Sequence, residues 1–366
     1  MTSLFDPIQI GNISLSNRIA MAPLTRNRSP GAVPNDLNVT YYEQRASAGL
    51  LISEGTPISH QGQGYAQVPG LYLPESLEGW KRVTSAVHAA GGHIAAQIWH
   101  VGRVSHTSLQ PNGGQPVAPS AIRAKSKTYI VHEDGTGGFV ETSEPRALAL
   151  DEIPGILEDY RRAARAAIDA GFDAIEIHAA NGYLIDQFLR SSSNTRTDAY
   201  GGSIENRTRF AIEVVDAIAK EIGAERTGIR LSPVTPANDV SDPDPQPLFN
   251  HLIEKLAAYD LAFIHVIEGA TGGPRDNIPF DWAGFKTAYR AKGGKAAWMV
   301  NNGYDRAMAM DAVASGRADM VSFGKAFIAN PDLVQRLKVD APLNEADRAT
   351  FYGGGADGYT NYPKMA

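Results

Sequence analysis

Short apolar runs recur along the chain and alternate with segments of helical periodicity. Residues 160–168, for example, space their apolar side chains at the period of an α-helix and are followed by Gly171, a residue typical of helix ends. Runs that are apolar at successive positions are typical of parallel strands buried on both faces. Eight such runs predict an α/β fold, a (β/α)8 TIM barrel, which needs roughly 250 residues. They are Arg18–Leu24, Leu50–Thr56, His93–Trp99, Asp173–His178, Thr227–Pro233, Ala262–Glu268, Ala296–Gly303 and Met320–Lys325.

The residues beyond the barrel predict one long insertion after the third strand, at 101–150. Within it, Thr128–Val131 and Gly138–Glu141 flank Glu133-Asp134-Gly135, which is the pattern of a β-hairpin. We expect this insertion to cap the barrel mouth. Residues 1–366 are predicted to form a single domain, because no linker rich in Pro, Gly or Ser divides them.

A doubly wound sheet uses the same alternation of strands and helices and is the alternative fold. Its dinucleotide-binding turn, Gly-x-Gly-x-x-Gly, follows none of the apolar runs. Gly353-Gly354-Gly355 follows no predicted strand either, and we interpret it as a flexible tail. The barrel is therefore the favoured fold.

Composition narrows the possible partners and the possible chemistry. The net charge is −6 and Lys and Arg are scattered, which argues against nucleic-acid binding. No apolar run has membrane-spanning length and the first residues do not resemble a secretory signal, so we expect no membrane partner and a cytoplasmic location. The chain has no Cys, which excludes thiol nucleophiles and metal sites built from thiolates. Any redox chemistry therefore needs another electron carrier.

Polar side chains follow the ends of several predicted strands, where a barrel places its active site. His178 and Asn181 lie three residues apart, so on a helical turn they would share a face and donate hydrogen bonds to one oxygen. Tyr183 adds a phenolic proton. Glycines behind the last two strands permit a phosphate to approach the main chain, and a lysine there adds a cation. The other strand-end candidates are Thr25, Gln97, Trp99, Arg230, Asn301, Asn302, Gly303, Gly324 and Lys325.

Four segments together resemble the old yellow enzyme family, FMN-dependent ene-reductases built on a (β/α)8 barrel. Each segment alone is weak, but the four in this order are highly specific, and the resemblance covers essentially the whole chain. The segments are Asn17–Arg26, His178–Leu184, Asn194–Arg207 and Phe327–Leu333.

The resemblance implies a site for non-covalent FMN, with NADPH or NADH as the hydride donor. Arg230 would lie near N1 and O2 of the flavin, where a guanidinium favours the reduced anion. The residues implied to contact the isoalloxazine ring are Pro23, Thr25, Gly55, Gln97 and Arg230. Those implied to hold the phosphate are Asn302, Gly303, Gly324 and Lys325.

The resemblance also implies catalytic roles and substrates. His178 and Asn181 would hydrogen-bond the substrate's carbonyl oxygen and stabilise the enolate as hydride reaches the β-carbon. Tyr183, with a phenol pKa near 10, would protonate the α-carbon. The partners would be small-molecule enones or nitro compounds, met by a monomer or homodimer. Trp99, Tyr65 and Tyr352 would line the substrate pocket.

Three positions distinguish this chain from other members of the family. Lys325 stands where many relatives carry Arg and offers a point charge in place of a bidentate fork, so we expect weaker FMN binding. Asn181 stands where other members carry His. Thr25 stands where another subgroup carries Cys, which places the chain among the Thr-bearing members.

Other functions stay open at the level of the sequence. The same reduced flavin would reduce nitrate esters or nitro compounds. A cofactor-free barrel isomerase or aldolase acting on a phosphorylated substrate is a further alternative, although no strand carries an obvious Schiff-base Lys. A flavin-binding protein without turnover is the last.

Single residues also have structural interpretations. Trp99 is as compatible with packing at the barrel top as with a substrate wall. Arg230 would suit a buried ion pair with Glu176 or Glu268. The segment Asn194–Arg207 is interpreted as ordering a loop and starting the next helix rather than as catalytic.

Overall fold

The computed structural model describes residues 2–365. Its strands are β1 (Ile8–Ile10), β2 (Ile13–Leu15), β3 (Ile19–Met21), β4 (Leu50–Ile52), β5 (Thr56–Pro57), β6 (Ile94–Trp99), β7 (Val117–Ala118), β8 (Lys127–Val131), β9 (Gly137–Glu141), β10 (Arg146–Ala147), β11 (Ala174–Ala179), β12 (Thr227–Leu231), β13 (Phe263–Ile267), β14 (Ala297–Asn301) and β15 (Met320–Phe323). Its α-helices are α1 (Asp36–Glu43), α2 (Pro74–Ala89), α3 (Ile153–Asp169), α4 (Leu184–Leu189), α5 (Ile204–Ile222), α6 (Pro245–Leu256), α7 (Trp282–Ala291), α8 (Arg306–Ala314), α9 (Lys325–Ala329) and α10 (Leu333–Val339).

Parallel strands close into a barrel. Neighbours follow the order β3, β4, β6, β11, β12, β13, β14, β15, and β15 pairs again with β3. β11 pairs with both β6 and β12, so the ladder is continuous around the ring. Helices connect successive barrel strands along the chain. The predicted (β/α)8 TIM barrel is confirmed on all eight apolar runs, and the doubly wound sheet is excluded because the sheet is closed.

The predicted strands mostly extend too far at their C-terminal ends. The first ends at Met21 instead of Leu24, because Pro23 lacks the N–H that a central strand needs. The seventh ends at Asn301, and Asn302 turns away with φ 100°. The second run divides into β4 and β5, both of which pair with β6. The residues between the observed and the predicted strand ends are not paired in the sheet and lie at the barrel mouth.

The barrel interior has an apolar floor. Side chains two residues apart on a strand share a face. On β11, Ala174 packs in an interior cluster, whereas Ile175 and Ile177 pack outward against the helices. The antiparallel β1–β2 pair covers this floor from below. Polar interior residues therefore collect above it, towards the C-terminal ends of the strands. The floor includes Ile10, Ile13, Leu15, Ala20, Leu50, Ile52, Ala95, Ala174, Phe263, Met299 and Met320.

The insertion after the third barrel strand contains the predicted hairpin. β8 pairs antiparallel with β9, with Lys127 opposite Glu141. The main-chain carbonyl oxygen of Tyr129 accepts a hydrogen bond from the Ala66 N–H at 2.8 Å, which connects the hairpin to the loop after β5. The hairpin lies at the barrel mouth, as a capping insertion requires. Its limits at 101–150 and the single-domain organisation stay predictions.

The glycine-rich segment near the C-terminus is attached to the barrel. The Gly353 N–H donates to the Arg26 carbonyl oxygen at 2.9 Å. Arg28 donates from Nε to the Gly355 carbonyl oxygen at 2.9 Å and from Nη2 to the Thr350 carbonyl oxygen at 2.8 Å. The side chains of Arg26 and Arg28 are both buried. The interpretation as a flexible tail is therefore wrong, because two buried guanidiniums and a main-chain hydrogen bond hold the segment.

The loop before α5 is ordered by its own polar groups. Asn194 donates from Nδ2 to the carbonyl oxygens of Phe188 and Tyr200, both at 2.7 Å. Ser203 begins α5 by accepting from the Asn206 N–H. The segment has the loop-ordering and helix-starting arrangement that its sequence indicates. Among residues 2–365, none of the helices combines the length and hydropathy needed to span a bilayer.

Candidate active site

The C-terminal ends of the barrel strands enclose a cavity of about 870 Å³. This volume lies within the range of small-molecule sites. The predicted site residues that line it are Pro23, Thr25, Tyr65, Asn181, Tyr183, Arg230, Asn302, Gly303, Gly324, Lys325 and Tyr352. The other predicted residues, Gly55, Gln97, Trp99 and His178, are buried and are not part of this lining. Trp99 and His178 pack against the lining residue Tyr183.

His178 and Asn181 reach the site from a strand and a turn. His178 is the penultimate residue of β11, and Asn181 adopts the left-handed conformation with φ 57°. The expected helical turn is wrong, because the following helix begins only at Leu184. Hydrogen bonds to the Asn181 main chain hold this turn, from its N–H to Ser232 Oγ and from Asn238 Nδ2 to its carbonyl oxygen, both at 2.8 Å.

The Asn181 side chain has a defined donor end. Thr271 Oγ1 donates to Asn181 Oδ1 at 2.6 Å. An amide offers two N–H donors beside its carbonyl oxygen. With Oδ1 occupied by Thr271, the Nδ2 group is the end that remains to donate towards a ligand in the cavity.

His178 is a neutral imidazole. Burial is the largest cause that holds its pKa well below the usual range, and the charge of Arg230 lowers this pKa further. Its Nδ1 atom is buried without a hydrogen-bond partner. A neutral imidazole carries one N–H, so His178 is able to donate a hydrogen bond without carrying a positive charge.

Tyr183 is a protonated phenol. Its hydroxyl lies 2.9 Å from the Tyr65 hydroxyl. Burial raises the pKa of Tyr183 to about 12. This pKa lies above the unperturbed phenol value near 10, because the ring is removed from water. Tyr183 keeps its proton throughout the physiological pH range.

Trp99 supports these side chains from beneath. Its ring stacks on His178 at 5.8 Å between centroids and meets Tyr183 edge-on at 4.7 Å. A Cβ atom added at Gly55 would lie 2.6 Å from the indole, so only glycine leaves room for this ring. Packing of Trp99 is thus directly visible, and its role as a substrate wall stays a prediction.

Arg230 is a buried cation that pairs with no carboxylate among residues 2–365. It is 5% exposed, Nη2 donates to Asn301 Oδ1 at 3.0 Å, and Nε has no partner. The alternative ion pairs are not formed in the described structure, because Glu176 contacts Gln97 and His265 while Glu268 pairs with Arg275. Burial lowers the pKa of Arg230 from its ordinary value, yet a guanidinium remains charged in proteins. This unpaired charge suits an anionic group in the cavity, such as a reduced flavin.

The proposed phosphate end of the cavity lies behind β14 and β15. Gly303 has φ 66°, and nothing lies within 4 Å of the position of a Cβ there. Lys325 is exposed at the start of α9. The Asn302 side chain holds the loop after β13 through the carbonyl oxygens of Glu268 at 2.7 Å and Ala270 at 2.9 Å. The Asn302 side chain is therefore occupied by this loop, so the predicted phosphate contact would come from the Asn302 main chain.

Several lining residues were not predicted. Lys127 lies on the hairpin, Thr271 on the loop after β13, and Arg348 with Phe351 on the C-terminal segment. A search of strand ends has no means of finding them, because they lie outside the barrel strands. Among residues 2–365, the side chains that line the cavity include cations and no Asp or Glu, so the cavity is electropositive.

Comparison with known proteins identifies the family. The model of the NADH:flavin oxidoreductase / NADH oxidase family matches residues 3–344. The chain belongs to the old yellow enzyme family. It is 43% identical over 368 residues to 12-oxophytodienoate reductase 2 of Arabidopsis thaliana, and the match covers 99% of this chain and 96% of that protein. It is 45% identical over 365 residues to 12-oxophytodienoate reductase 1 of Oryza sativa subsp. japonica, covering 98% of this chain and 92% of that protein.

Solved structures share the fold. Morphinone reductase in complex with tetrahydroNAD is similar with a TM-score of 0.95 and 49% identity, covering 100% of this chain and 98% of that chain. The old yellow enzyme homologue from Zymomonas mobilis is similar with a TM-score of 0.93 and 43% identity, covering 100% of both chains.

Family membership confirms the predicted class of enzyme and its cofactors. The chain is an FMN-dependent ene-reductase that uses NAD(P)H as hydride donor and acts on small molecules. The cofactor-free isomerase or aldolase is excluded, because the matched family is one of flavin enzymes.

Proposed function

We propose that this ene-reductase reduces the C=C bond of α,β-unsaturated carbonyl compounds by means of His178, Asn181 and Tyr183. The observation that carries the proposal is their protonation and hydrogen bonding. The Asn181 amide, with its donor end left over, and the protonated Tyr183 phenol line a cavity that also holds the charge of Arg230. The neutral His178 imidazole packs directly against the Tyr183 ring.

FMN, when bound, supplies the hydride that it has taken from NADPH or NADH. Arg230 would hold the pyrimidine edge through its charge, and Thr25 would donate a hydrogen bond to the ring. The other residues proposed to contact the cofactor are Pro23, Gly55 and Gln97 at the ring, and Asn302, Gly303, Gly324 and Lys325 at the phosphate.

His178 and Asn181 would stabilise negative charge on the substrate oxygen. The imidazole N–H and the Asn181 Nδ2 group would both donate to the carbonyl oxygen, whose charge increases as the enolate forms. Donors fixed before the reaction stabilise this charge without reorganising. The strand end and the hydrogen-bonded turn supply this fixation.

Tyr183 would deliver a proton from its hydroxyl to the α-carbon. Its pKa of about 12 keeps the proton in place until a strongly basic carbon is formed. The Tyr65 hydroxyl, 2.9 Å away, would donate a hydrogen bond to the phenolate left behind. Tyr65 would thus limit the cost of ionising a buried phenol.

Cyclic enones are the proposed substrates, because the similar proteins are named as reductases of 12-oxophytodienoate and of morphinone. Tyr65 and Tyr352 line the cavity and would contact the substrate, with Trp99 beneath. Nitro compounds and nitrate esters are alternative oxidants of the same reduced flavin. A monomer or homodimer in the cytoplasm is part of the proposal, since no run of the sequence is apolar over a membrane-spanning length.

Tyr183→Phe tests the proton-donor assignment. Anaerobic stopped-flow spectroscopy follows flavin reduction by NADPH and reoxidation by cyclohex-2-enone separately. We expect flavin reduction close to the wild-type rate and reoxidation slowed by roughly 10²- to 10⁴-fold, because the variant lacks the general acid. Tyr160→Phe is the matched control, since Tyr160 is also buried but lies on α3 outside the cavity lining. A variant that loses flavin reduction, or reoxidises at the wild-type rate, would contradict the assignment.

A further inference from the structure

A chain of hydrogen bonds crosses the barrel interior between the apolar floor and the cavity. Glu176 is fully buried, and its Oε1 accepts from Gln97 Nε2 at 2.8 Å. Its Oε2 lies 2.6 Å from Nδ1 of His265. The other ring nitrogen, His265 Nε2, lies 2.7 Å from Ser322 Oγ. Strands β6, β11, β13 and β15 therefore contribute to one buried network.

The network determines where the protons lie. Burial is the largest cause that lowers the pKa of His265, so the ring is neutral and carries one N–H. The Glu176 carboxylate is placed to accept from both neighbours, which assigns that hydrogen to Nδ1 of His265. Nε2 then accepts from the Ser322 hydroxyl. Each hydrogen bond in this network then has one defined donor and one defined acceptor. Such networks hold side chains rigidly.

The direction of the network orients Gln97. Because Nε2 of Gln97 donates to Glu176, its Oε1 atom is the end left to accept from a ligand. The isoalloxazine ring has an N–H among the groups of its pyrimidine edge. Glu176 therefore selects which end of the Gln97 amide serves the cofactor.

A second branch links the network to Arg230. Arg230 donates from Nη2 to Asn301 Oδ1 at 3.0 Å, and Asn301 donates from Nδ2 to the Ser322 carbonyl oxygen at 2.9 Å. Ser322 thus contacts both branches, one through its hydroxyl and one through its main chain. Arg230 is also the register neighbour of His265 on the adjoining strand. The carboxylate of Glu176 is the buried negative charge that favours the charged form of Arg230.

We propose that Glu176, His265 and Ser322 are positioning residues for the cofactor, which rests on the proposed function of the site above them. They hold the Gln97 amide and the Arg230 guanidinium in the orientation that FMN requires. The buried negative charge of Glu176 also makes the bound flavin harder to reduce. Orientation and charge are separable effects, and each has its own measurement.

Glu176→Gln removes the charge and keeps the shape. A Gln side chain still accepts from Gln97, and it donates to His265 once the imidazole hydrogen moves to Nε2. We expect the midpoint potential of the bound flavin to shift upward, while the FMN dissociation constant stays close to wild type. Asp242→Asn is the matched control, because Asp242 pairs with Arg207 outside the barrel interior and its side chain is only 4% exposed. The control should leave the potential unchanged.

His265→Leu breaks the positioning contacts instead. We expect its FMN dissociation constant, measured by quenching of flavin fluorescence, to rise by about tenfold, as for one lost buried hydrogen bond. Ser322→Ala removes a single hydroxyl and should change the constant in the same direction by less, so it replaces His265→Leu if that variant does not fold. An unchanged potential in Glu176→Gln, or wild-type FMN binding in both other variants, would overturn the inference. Wild-type protein that takes up no FMN, or whose reduced flavin no enone reoxidises, would overturn the proposed function instead.

Discussion

Glu54 is a buried carboxyl group in the connection between β4 and β5. Its Oε2 atom has no hydrogen-bond partner, and its Oε1 contacts the Tyr42 hydroxyl at 3.4 Å. Burial raises its pKa from 4.5 to about 7. The folded protein thus binds this proton more tightly than the unfolded chain does. The stability that the proton provides is present at low pH and is lost as the pH rises through 7.

Glu54→Gln tests this shift, because an amide imitates the protonated carboxyl at every pH. The difference in free energy of unfolding, variant minus wild type, should increase by roughly 3 kcal/mol as the pH rises from about 5 to about 8. Urea denaturation of both proteins across this range measures the difference, and the titration of all other groups cancels. Parallel stability curves would show that Glu54 has an ordinary pKa.

At this scale the sequence predicts which chemical groups are present but not how they are solvated. His178, Asn181 and Tyr183 were identified by type and by their place after a strand. The rise of the Tyr183 pKa to about 12 has no local signature in the sequence, because its burial involves the rings of Tyr65 and Trp99, which are distant in the chain. The helical turn was wrong for a local reason, since Asn181 tolerates the left-handed conformation that begins the turn.

At the scale of elements, α4 is held in place by a buried ion pair. Asp186 accepts from Arg190 Nε at 2.7 Å and from the Gly182 N–H at 2.9 Å, and both charged side chains are at most 2% exposed. Arg190 also donates to the carbonyl oxygens of Ser232 and Pro233. The pair therefore joins the start of α4 to the turn that carries Asn181.

Asp186→Ala should lower the free energy of unfolding by about 3–5 kcal/mol, because it leaves the Arg190 charge buried and unpaired. Glu78→Ala is the control. It breaks the exposed pair with Lys81 and should cost at most about 1 kcal/mol. Urea denaturation measures both variants. Similar losses in the two would mean that burial of the Asp186–Arg190 pair has no energetic importance.

The elements themselves were predictable where a pattern lies in one stretch of chain. The eight barrel strands and the β8–β9 hairpin follow from local periodicity and turn residues. The attachment of the C-terminal segment was not predictable. Arg26 and Arg28 bind it through main-chain carbonyl oxygens, which leave no trace in side-chain sequence.

For the whole molecule, the fold explains why one cavity serves both halves of the reaction. Barrel closure brings the ends of eight strands together, and the apolar floor below them excludes water. At the barrel mouth the hairpin meets the C-terminal segment, where the ring centroids of Phe139 and Tyr352 lie 5.6 Å apart. The cavity that results is electropositive, with Arg230 buried and unpaired. A negatively charged cofactor and an enone oxygen are both stabilised in such a site.

We expect bound FMN and the residues His178, Asn181 and Tyr183 to form one ene-reducing site. This arrangement is tested by anaerobic stopped-flow absorbance of the purified flavoprotein, which is reduced with one equivalent of NADPH and then mixed with cyclohex-2-enone. NADPH should bleach the flavin, and the enone should restore the oxidised spectrum in a single turnover, with formation of the saturated ketone. Flavin that stays reduced in the presence of the enone would contradict it.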